Sequence, residues 1–442
     1  MRKLFGTDGV RGIANNELTI TEAQKIGMAA AYNMCSENKD IYIGKDTRNS
    51  SDMFEAAVAA GLASSGANVI LLGVVPTPAV SYIARMEKAA AGVMISASHN
   101  LYESNGIKIF NGDGIKLDTV EEEALEELIH LERVYACTPD KIGYIRQNNV
   151  LANNYIESLL ANRAGKFTGL RVAIDCSNGS TAAVACDIFS RLGCQTLILA
   201  DKPDGFNINR ACGSTDIAHI KGIVKSEPFD AGFAFDGDGD RCIAIDENGG
   251  EIDGDCEMAI IAMQKKAKNA LPGSKLVTTV MANYGFNEFA QKNGFFVEAA
   301  DVGDRNVLTR MFETGASLGG EQSGHIISLS DSVTGDGMLT AINMLEAMVE
   351  SGKPLSTLAS VMVKYPQVMI NVPMKDYKKA ASVKKTNVVR AIAEGEKELN
   401  GKGRILVRPS GTEPIIRVMA EGKDEYMVNR IAERIASELA GF

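Results

Sequence analysis

FDGDGDR, residues Phe235 to Arg241, sets three carboxylates at alternate positions between the apolar runs AGFAF and CIAI. On extended backbone, side chains two residues apart share a side, so Asp236, Asp238 and Asp240 converge. Gly237 and Gly239 remove bulk, letting the chain curl around whatever the carboxylates face. Crowded carboxylates repel and raise one another's pKa unless a cation sits among them. An all-oxygen donor set suits Mg2+ or Ca2+ better than zinc. A calcium loop of the EF-hand kind is the rival, and Glu247 even falls at its twelfth position. Arg241, however, occupies the sixth position, where that loop needs glycine, and the flanks read as strands rather than helices.

A second cluster ends an apolar run: MISASHN, with Ser96, Ser98, His99 and Asn100. A serine hydrolase would place its nucleophile in GxSxG, with the histidine distant in sequence. No such motif is present, and His99 adjoins Ser98 too closely to act easily as its triad base. Near the other end, RPSGTEPIIRV places Ser410, Gly411 and Thr412 in a tight polar turn between two strands, flanked by Arg408 and Arg417. Hydroxyls and backbone N–H groups in such a turn form an anion nest, and the arginine fork suits phosphate oxygens. GGEQSGH, Gly319 to His325, offers Glu321 and Ser323 on one side of extended backbone, where Glu321 can accept hydrogen bonds from sugar hydroxyls. A cation loop and a phosphate nest are the parts that phosphoryl transfer needs, and a serine facing Mg2+ can accept and return a phosphoryl group.

The elements that must position these residues repeat one design. Ile41 to Ile43 is a strand, GKDTRNSS a turn, a helix starts near Asp52, and NVILLG forms a second strand after Gly66. Arg171 to Ile174, DCSNGS, a helix to about Leu192 and QTLILA repeat the pattern. Lys275 to Val280, ANYG, a helix to Lys292 and FFVEAA give it a third time. Three such β-turn-α-β units point to three α/β domains around mixed or parallel sheets with helical cover. From about Gln367 the pattern changes to VMINVPM, a lysine- and alanine-rich helical stretch, RILVRPS, IIRVMAEG and a last helix. Met427, Val428, Ile431, Ile435 and Leu439 form the apolar stripe of that helix, which packs on a small sheet. The acidic segment TVEEEALEELIH reads as a solvated helix with a capping box from Thr119 to Glu122.

With 442 residues the chain exceeds one core, and 45% hydrophobic and 23% charged residues are ordinary for a globular protein. A net charge of −10 argues against a nucleic-acid surface, though local arginines can still hold a phosphate. No signal peptide or membrane-spanning apolar run is visible. The eight cysteines show no CxxC pair and mostly sit in apolar runs (Cys186, Cys194, Cys242), as buried thiols of a cytoplasmic protein do.

Taken in order, FGTDGVRG, SASHN with NGIK, DGDGDR, VGDR, GGEQSGH, TGDG and RPSGTEP resemble the α-D-phosphohexomutase superfamily over the length of the chain. That resemblance implies three related α/β/α domains with mixed sheets, at 1–150, 151–255 and 256–366, and a smaller α+β domain at 367–442, arranged around a central cleft. It implies that Ser98 is carried as phosphoserine and coordinates one Mg2+ per subunit with Asp236, Asp238 and Asp240. Ser98 would phosphorylate a hexose monophosphate to a 1,6-bisphosphate of glucosamine or glucose, which serves as intermediate and activator. Arg11, His99, Lys108 and Arg241 would lie near the transferring phosphate, with His99 and Lys108 as alternative bases. Glu321, Ser323 and His325 would read the sugar, and Arg408, Ser410, Gly411, Thr412 and Arg417 its other phosphate. GTDGVRG and Gln322 resemble the glucosamine branch, which interconverts glucosamine 6- and 1-phosphate for UDP-N-acetylglucosamine and peptidoglycan synthesis. Mannose or glucose phosphates are the alternative substrates, and the expected state is monomer or homodimer. One departure stands out: Leu101 follows SASHN where the family usually has proline, which loosens the backbone after the phosphoserine turn.

Overall fold

The computed structural model describes residues 4–6, 8–35, 39–131, 136–410 and 414–440. Its contacts divide the chain into two compact units, Met1–Met281 with Phe295–Val361, and Ala282–Gly294 with Met362–Phe442.

The first unit holds three mixed sheets. Its seven-stranded sheet runs Phe5–Gly6, Gly9–Ile13, Ser104–Asn111, Ala91–Ile95, Asp40–Lys45, Asn68–Val74, Ile145–Gln147. A five-stranded sheet runs Glu251–Ile252, Cys242–Asp246, Ala231–Phe235, Arg171–Asp175, Gln195–Leu199, and a four-stranded one Phe296–Ala300, Lys275–Thr279, Leu318–Gly320, Ile326–Ser328. The strand pairs anticipated in the three repeated units, Asp40–Lys45 with Asn68–Val74, Arg171–Asp175 with Gln195–Leu199, and Lys275–Thr279 with Phe296–Ala300, are all parallel. Parallel strands need a crossover, which is why each unit carries a helical segment between its strands.

Strands buried on both faces are nearly continuous in apolar residues: Ala91–Ile95 reads AGVMI and Ala231–Phe235 reads AGFAF, every residue buried. One core cluster unites Ile41, Ile43, Val69, Val93 and Ile95 with Ile26, Phe54, Val58 and Leu62 from the helices Ile20–Met34 and Ser51–Ser64. Burying each such side chain contributes roughly 1.5–3 kcal/mol. These cores fix the strand ends from which the polar loops emerge.

The second unit has a three-stranded antiparallel sheet in the order Gln367–Pro373, Ile415–Gly422, Gly403–Pro409. The helix Glu425–Ala440 buries Val428, Ile431, Ala432, Ile435 and Leu439, and Met427 packs at the edge of the same core. Residues Ala282–Gly294 belong to this unit rather than to the third repeat's own core. Tyr284 N–H donates to Glu421 Oε1 at 2.8 Å, and Asn283 Nδ2 to the Tyr365 carbonyl at 3.0 Å.

Two local expectations need correcting. The acidic helix Thr119–His130 is capped one residue earlier, by Asp118 with Glu121, because Asp118 supplies the β-region N-cap conformation (ψ 175°) that a residue inside the helix cannot. The eight cysteines are unpaired, but Cys186 is exposed rather than buried. No helix among the described residues is long and apolar enough to cross a membrane.

Candidate active site

Asp236, Asp238 and Asp240 follow the buried strand Ala231–Phe235 and precede the antiparallel strand Cys242–Asp246. They converge because the chain turns, not because of a strand's pleat. Gly239 N–H bonds the Asp236 carbonyl at 3.1 Å, and Gly239 takes φ +70°, a conformation costly to other residues. One oxygen from each carboxylate lies within 4.8 Å of the others, and all three side chains are buried. Gly237 is needed for a different reason: a Cβ there would stand 2.6 Å from the Ser98 carbonyl oxygen.

Ser98 lies in the turn that follows the strand Ala91–Ile95, at φ +53° and fully buried, and its Oγ donates to Asp236 Oδ2 at 2.6 Å. The neighbouring Ser96 hydroxyl is used differently: it donates to Asp46 Oδ2 at 2.6 Å and accepts Ser98 N–H at 3.0 Å. Of the two serines, therefore, only Ser98 faces the aspartates.

The Lys108 ammonium, on the strand Ser104–Asn111, stands 2.7 Å from Asp238 Oδ2, 3.2 Å from Asp8 Oδ2 and 3.4 Å from Asp240 Oδ2. Burial works against its charge, but Asp238, Asp8 and Asp240 hold its pKa well above the lysine range. Lys116 ion-pairs with Asp8 and Asp304, and Arg11 with Asp8. Thr77, first residue of the helix Thr77–Met86, donates its hydroxyl to Asp238 Oδ2 at 2.6 Å and its N–H to the Asp238 carbonyl at 2.8 Å.

His99 Nδ1 lies 3.4 Å from Ser98 Oγ and 3.3 Å from Arg241 Nη1. A guanidinium only donates, so Nδ1 accepts and the ring is neutral. Burial, then Arg241 and Arg11, push the His99 pKa down to about 4. Arg241 itself is raised: Asp240 and Asp236 outweigh its burial. His325, expected among the sugar-reading residues, is only 2% exposed. Its Nε2 accepts Gly335 N–H at 3.1 Å and its Nδ1 lies 3.7 Å from Asp240 Oδ2. Glu321 Oε1 accepts Gly303 N–H at 3.0 Å, and the buried Ser323 Oγ makes no hydrogen bond to the described residues.

The donor set fits a divalent cation. Burial first, then Asp240 and Asp238, raises Asp236 well above the carboxylate range, while Lys108 holds Asp240 well below it despite its burial. Buried oxygens Asp238 Oδ1 and Asp240 Oδ1 also lack hydrogen-bond partners. Hard oxygen donors of this kind suit Mg2+.

In the second unit Arg408 and Arg417 are directly opposite on paired strands. Ser410 N–H closes the hairpin on the Ile415 carbonyl at 2.9 Å, and the Ser410 carbonyl accepts Lys379 Nζ at 2.7 Å. Gly411 and Thr412 lie outside the described residues.

Asp8 and Asp304 sit inside the motifs FGTDGVRG and VGDR, but their shared ion pairs with Lys116 join segments that no motif connects. Thr77, Arg48 and Asn209 had no motif to mark them, since their contacts join segments far apart in the chain.

A buried serine set against three aspartates, on a scaffold of three mixed α/β sheets and a smaller antiparallel one, is the architecture of a phosphohexomutase. Family models for phosphoglucomutase/phosphomannomutase match throughout: alpha/beta/alpha domain I at residues 2–135, domain II at 153–250, domain III at 253–365 and the C-terminal domain at 369–438. The chain belongs to the phosphoglucomutase/phosphomannomutase family. It is 46% identical over 441 residues to a phosphoglucosamine mutase of Acetivibrio thermocellus, covering 98% of each chain. Among solved structures it is similar to a phosphoglucomutase/phosphomannomutase family protein of Burkholderia thailandensis, with a TM-score of 0.82, 22% identity and 99% and 97% coverage. It also resembles the Aspergillus fumigatus N-acetylphosphoglucosamine mutase in complex with GlcNAc-6P and magnesium, with a TM-score of 0.70, 16% identity and 99% and 95% coverage.

Proposed function

We propose that this chain interconverts glucosamine 6-phosphate and glucosamine 1-phosphate through a phosphoserine at Ser98 and a 1,6-bisphosphate intermediate. The observation that carries the reading is Ser98 Oγ placed 2.6 Å from Asp236 in a carboxylate cluster with buried oxygens that accept no hydrogen bond. The choice of glucosamine rests on the full-length similarity to the Acetivibrio thermocellus mutase.

In the proposed step the Ser98 O–P bond breaks as a sugar hydroxyl bonds to phosphorus. The hydroxyl proton passes to a base, and the serine alkoxide is later rephosphorylated from the other end of the bisphosphate. Mg2+ held by Asp236, Asp238, Asp240 and the Ser98 phosphate would neutralise charge on the transferring group. Lys108, facing Asp238, Asp8 and Asp240, acts as a fixed positive charge rather than a base. His99 keeps an unprotonated Nδ1 and is the candidate that can take a proton. Arg11 and Arg241 contribute charge to the phosphoryl oxygens. Glu321, Ser323 and His325 read sugar hydroxyls. Arg408, Ser410, Gly411, Thr412 and Arg417 hold the phosphate that is not being transferred. Divided at 1–150, 151–255, 256–366 and 367–442, the chain gives each domain one of these loops.

Two measurements test this. Intact mass should show a fraction of the protein heavier by one phosphate, absent in Ser98→Ala; no labelling even after incubation with a hexose 1,6-bisphosphate ends the phosphoserine mechanism. With Mg2+ present, kcat/KM should be highest for glucosamine 6-phosphate. Preference for glucose or mannose 6-phosphate would make the enzyme a phosphoglucomutase or phosphomannomutase using the same machinery.

A further inference from the structure

Ser98 occupies left-handed backbone that a residue with a side chain adopts only when its surroundings impose it. The two peptide planes flanking its Cα are each held. On one side Ser98 N–H bonds Ser96 Oγ at 3.0 Å, and that oxygen is anchored by Asp46. On the other, the Ser98 carbonyl accepts Arg48 Nη2 at 2.9 Å and Asn209 Nδ2 at 2.8 Å. Since peptide planes are rigid, fixing both fixes φ and ψ at Ser98 and so the direction of its Oγ.

The same two side chains hold the rest of the turn. Arg48 Nη2 reaches the Asn100 carbonyl at 2.8 Å and Nη1 the Leu101 carbonyl at 2.5 Å, while Asn209 Nδ2 reaches the Asn100 carbonyl at 2.9 Å. Arg48 is 2% exposed, and its Nε bonds Asp46 Oδ2 at 2.8 Å, leaving the fork for the carbonyls. None of these donors touches Ser98 Oγ. Leucine at 101 leaves its own backbone freer than proline would, and Arg48 Nη1 restrains that residue through its carbonyl instead.

We propose that Arg48 and Asn209 are positioning residues for phosphoryl transfer, clamping the carbonyls of Ser98, Asn100 and Leu101 so that the serine oxygen is aimed at the aspartate loop. The clamp joins two sheets: Arg48 follows the strand Asp40–Lys45, and Asn209 lies between Gln195–Leu199 and Ala231–Phe235. It also accounts for the closeness of Gly237, where a Cβ would stand 2.8 Å from Asn209 Nδ2. Because the trans peptide sets N–H opposite to C=O, drawing the Ser98 carbonyl toward Arg48 sends His99 N–H the other way. That N–H makes no hydrogen bond to the described residues.

The inference rests on Ser98 being the phosphorylated residue, and the experiment separates the two. Full-length parent, Arg48→Lys and Asn209→Ala are incubated with a hexose 1,6-bisphosphate, weighed intact, and assayed for kcat and KM with Mg2+ and glucosamine 6-phosphate. Arg48→Lys keeps a cation beside Asp46 but loses the fork; Asn209→Ala removes only the carbonyl bonds and decides alone if Arg48→Lys does not fold. The expected result is that both variants still take one phosphate while kcat falls roughly 10- to 100-fold, as sub-ångström misplacement of a reacting group produces, with KM little changed. A phosphorylated parent with Asn209→Ala at parental kcat, or with its loss lying in KM, overturns the clamp. A parent that takes no phosphate overturns the phosphoserine reading on which the clamp depends.

Discussion

Lys108 Nζ and Asp238 Oδ2 are 2.7 Å apart with both side chains fully buried, and Asp8 and Asp240 share the same ammonium. Breaking such a group on one side leaves carboxylates buried without their counter-charge, which typically costs roughly 3–5 kcal/mol. Lys108→Met should therefore lower the thermal midpoint steeply in the absence of divalent cations, besides abolishing activity. A midpoint equal to the parent's would show that water or another cation already compensates these carboxylates.

Cation binding offers an independent check on the aspartate loop. A ligand that binds only the folded state at one hundred times its Kd stabilises by about 2.7 kcal/mol. The parent's thermal midpoint should rise with Mg2+, and Asp240→Asn should lose most of that rise while remaining folded. Equal Mg2+ responses in the two proteins would place the cation elsewhere.

Ser96 separates support from chemistry. Its hydroxyl bridges Asp46 and Ser98 N–H, both buried, so Ser96→Ala leaves polar groups unsatisfied at a cost of about 1–3 kcal/mol. The variant should still become phosphorylated at Ser98, with a lower kcat. Loss of the phosphate in Ser96→Ala together with its retention in Ser98→Ala would reverse the assignment of the two serines.

Much of this was legible in the sequence, for identifiable reasons. The parallel strand pairs were visible because each β-turn-α-β unit is local, with apolar runs and glycine stops close together in the chain. The three aspartates were visible because five residues contain them all. The mode of convergence was not: alternate spacing suggested a strand, and only the positive φ of Gly239 reveals a turn. Arg48 and Asn209 were illegible because their partners are backbone carbonyls 50 and 111 residues away, and a carbonyl carries no sequence signal.

Arg408 and Arg417 are cross-strand partners, and like charges directly opposite destabilise a sheet unless an anion lies between them. Arg408→Ala should raise KM for the sugar phosphate about tenfold or more, the loss of one charge-assisted contact, and leave the thermal midpoint unchanged or slightly higher. Adding inorganic phosphate should stabilise the parent more than the variant. Unchanged KM would remove Arg408 from the proposed phosphate nest.

Asp336, in TGDG, caps the helix Gly337–Ser351 by accepting Leu339 N–H at 3.0 Å, and it receives the Tyr155 hydroxyl at 3.0 Å. Burial raises its pKa to about 6 despite those bonds. The unfolded chain releases this proton near pH 4, so between about pH 4 and 6 the folded state holds more protons than the unfolded one. The contribution of Asp336 to stability therefore falls as pH rises through that window, by roughly 3 kcal/mol in all. Asparagine keeps an oxygen for Leu339 and Tyr155 but does not titrate. Asp336→Asn should accordingly gain stability relative to the parent as pH is raised from 4 to 7, read as a growing difference in thermal midpoint in one buffer series. A difference that stays constant across that range would mean that the carboxyl keeps the same charge in both states.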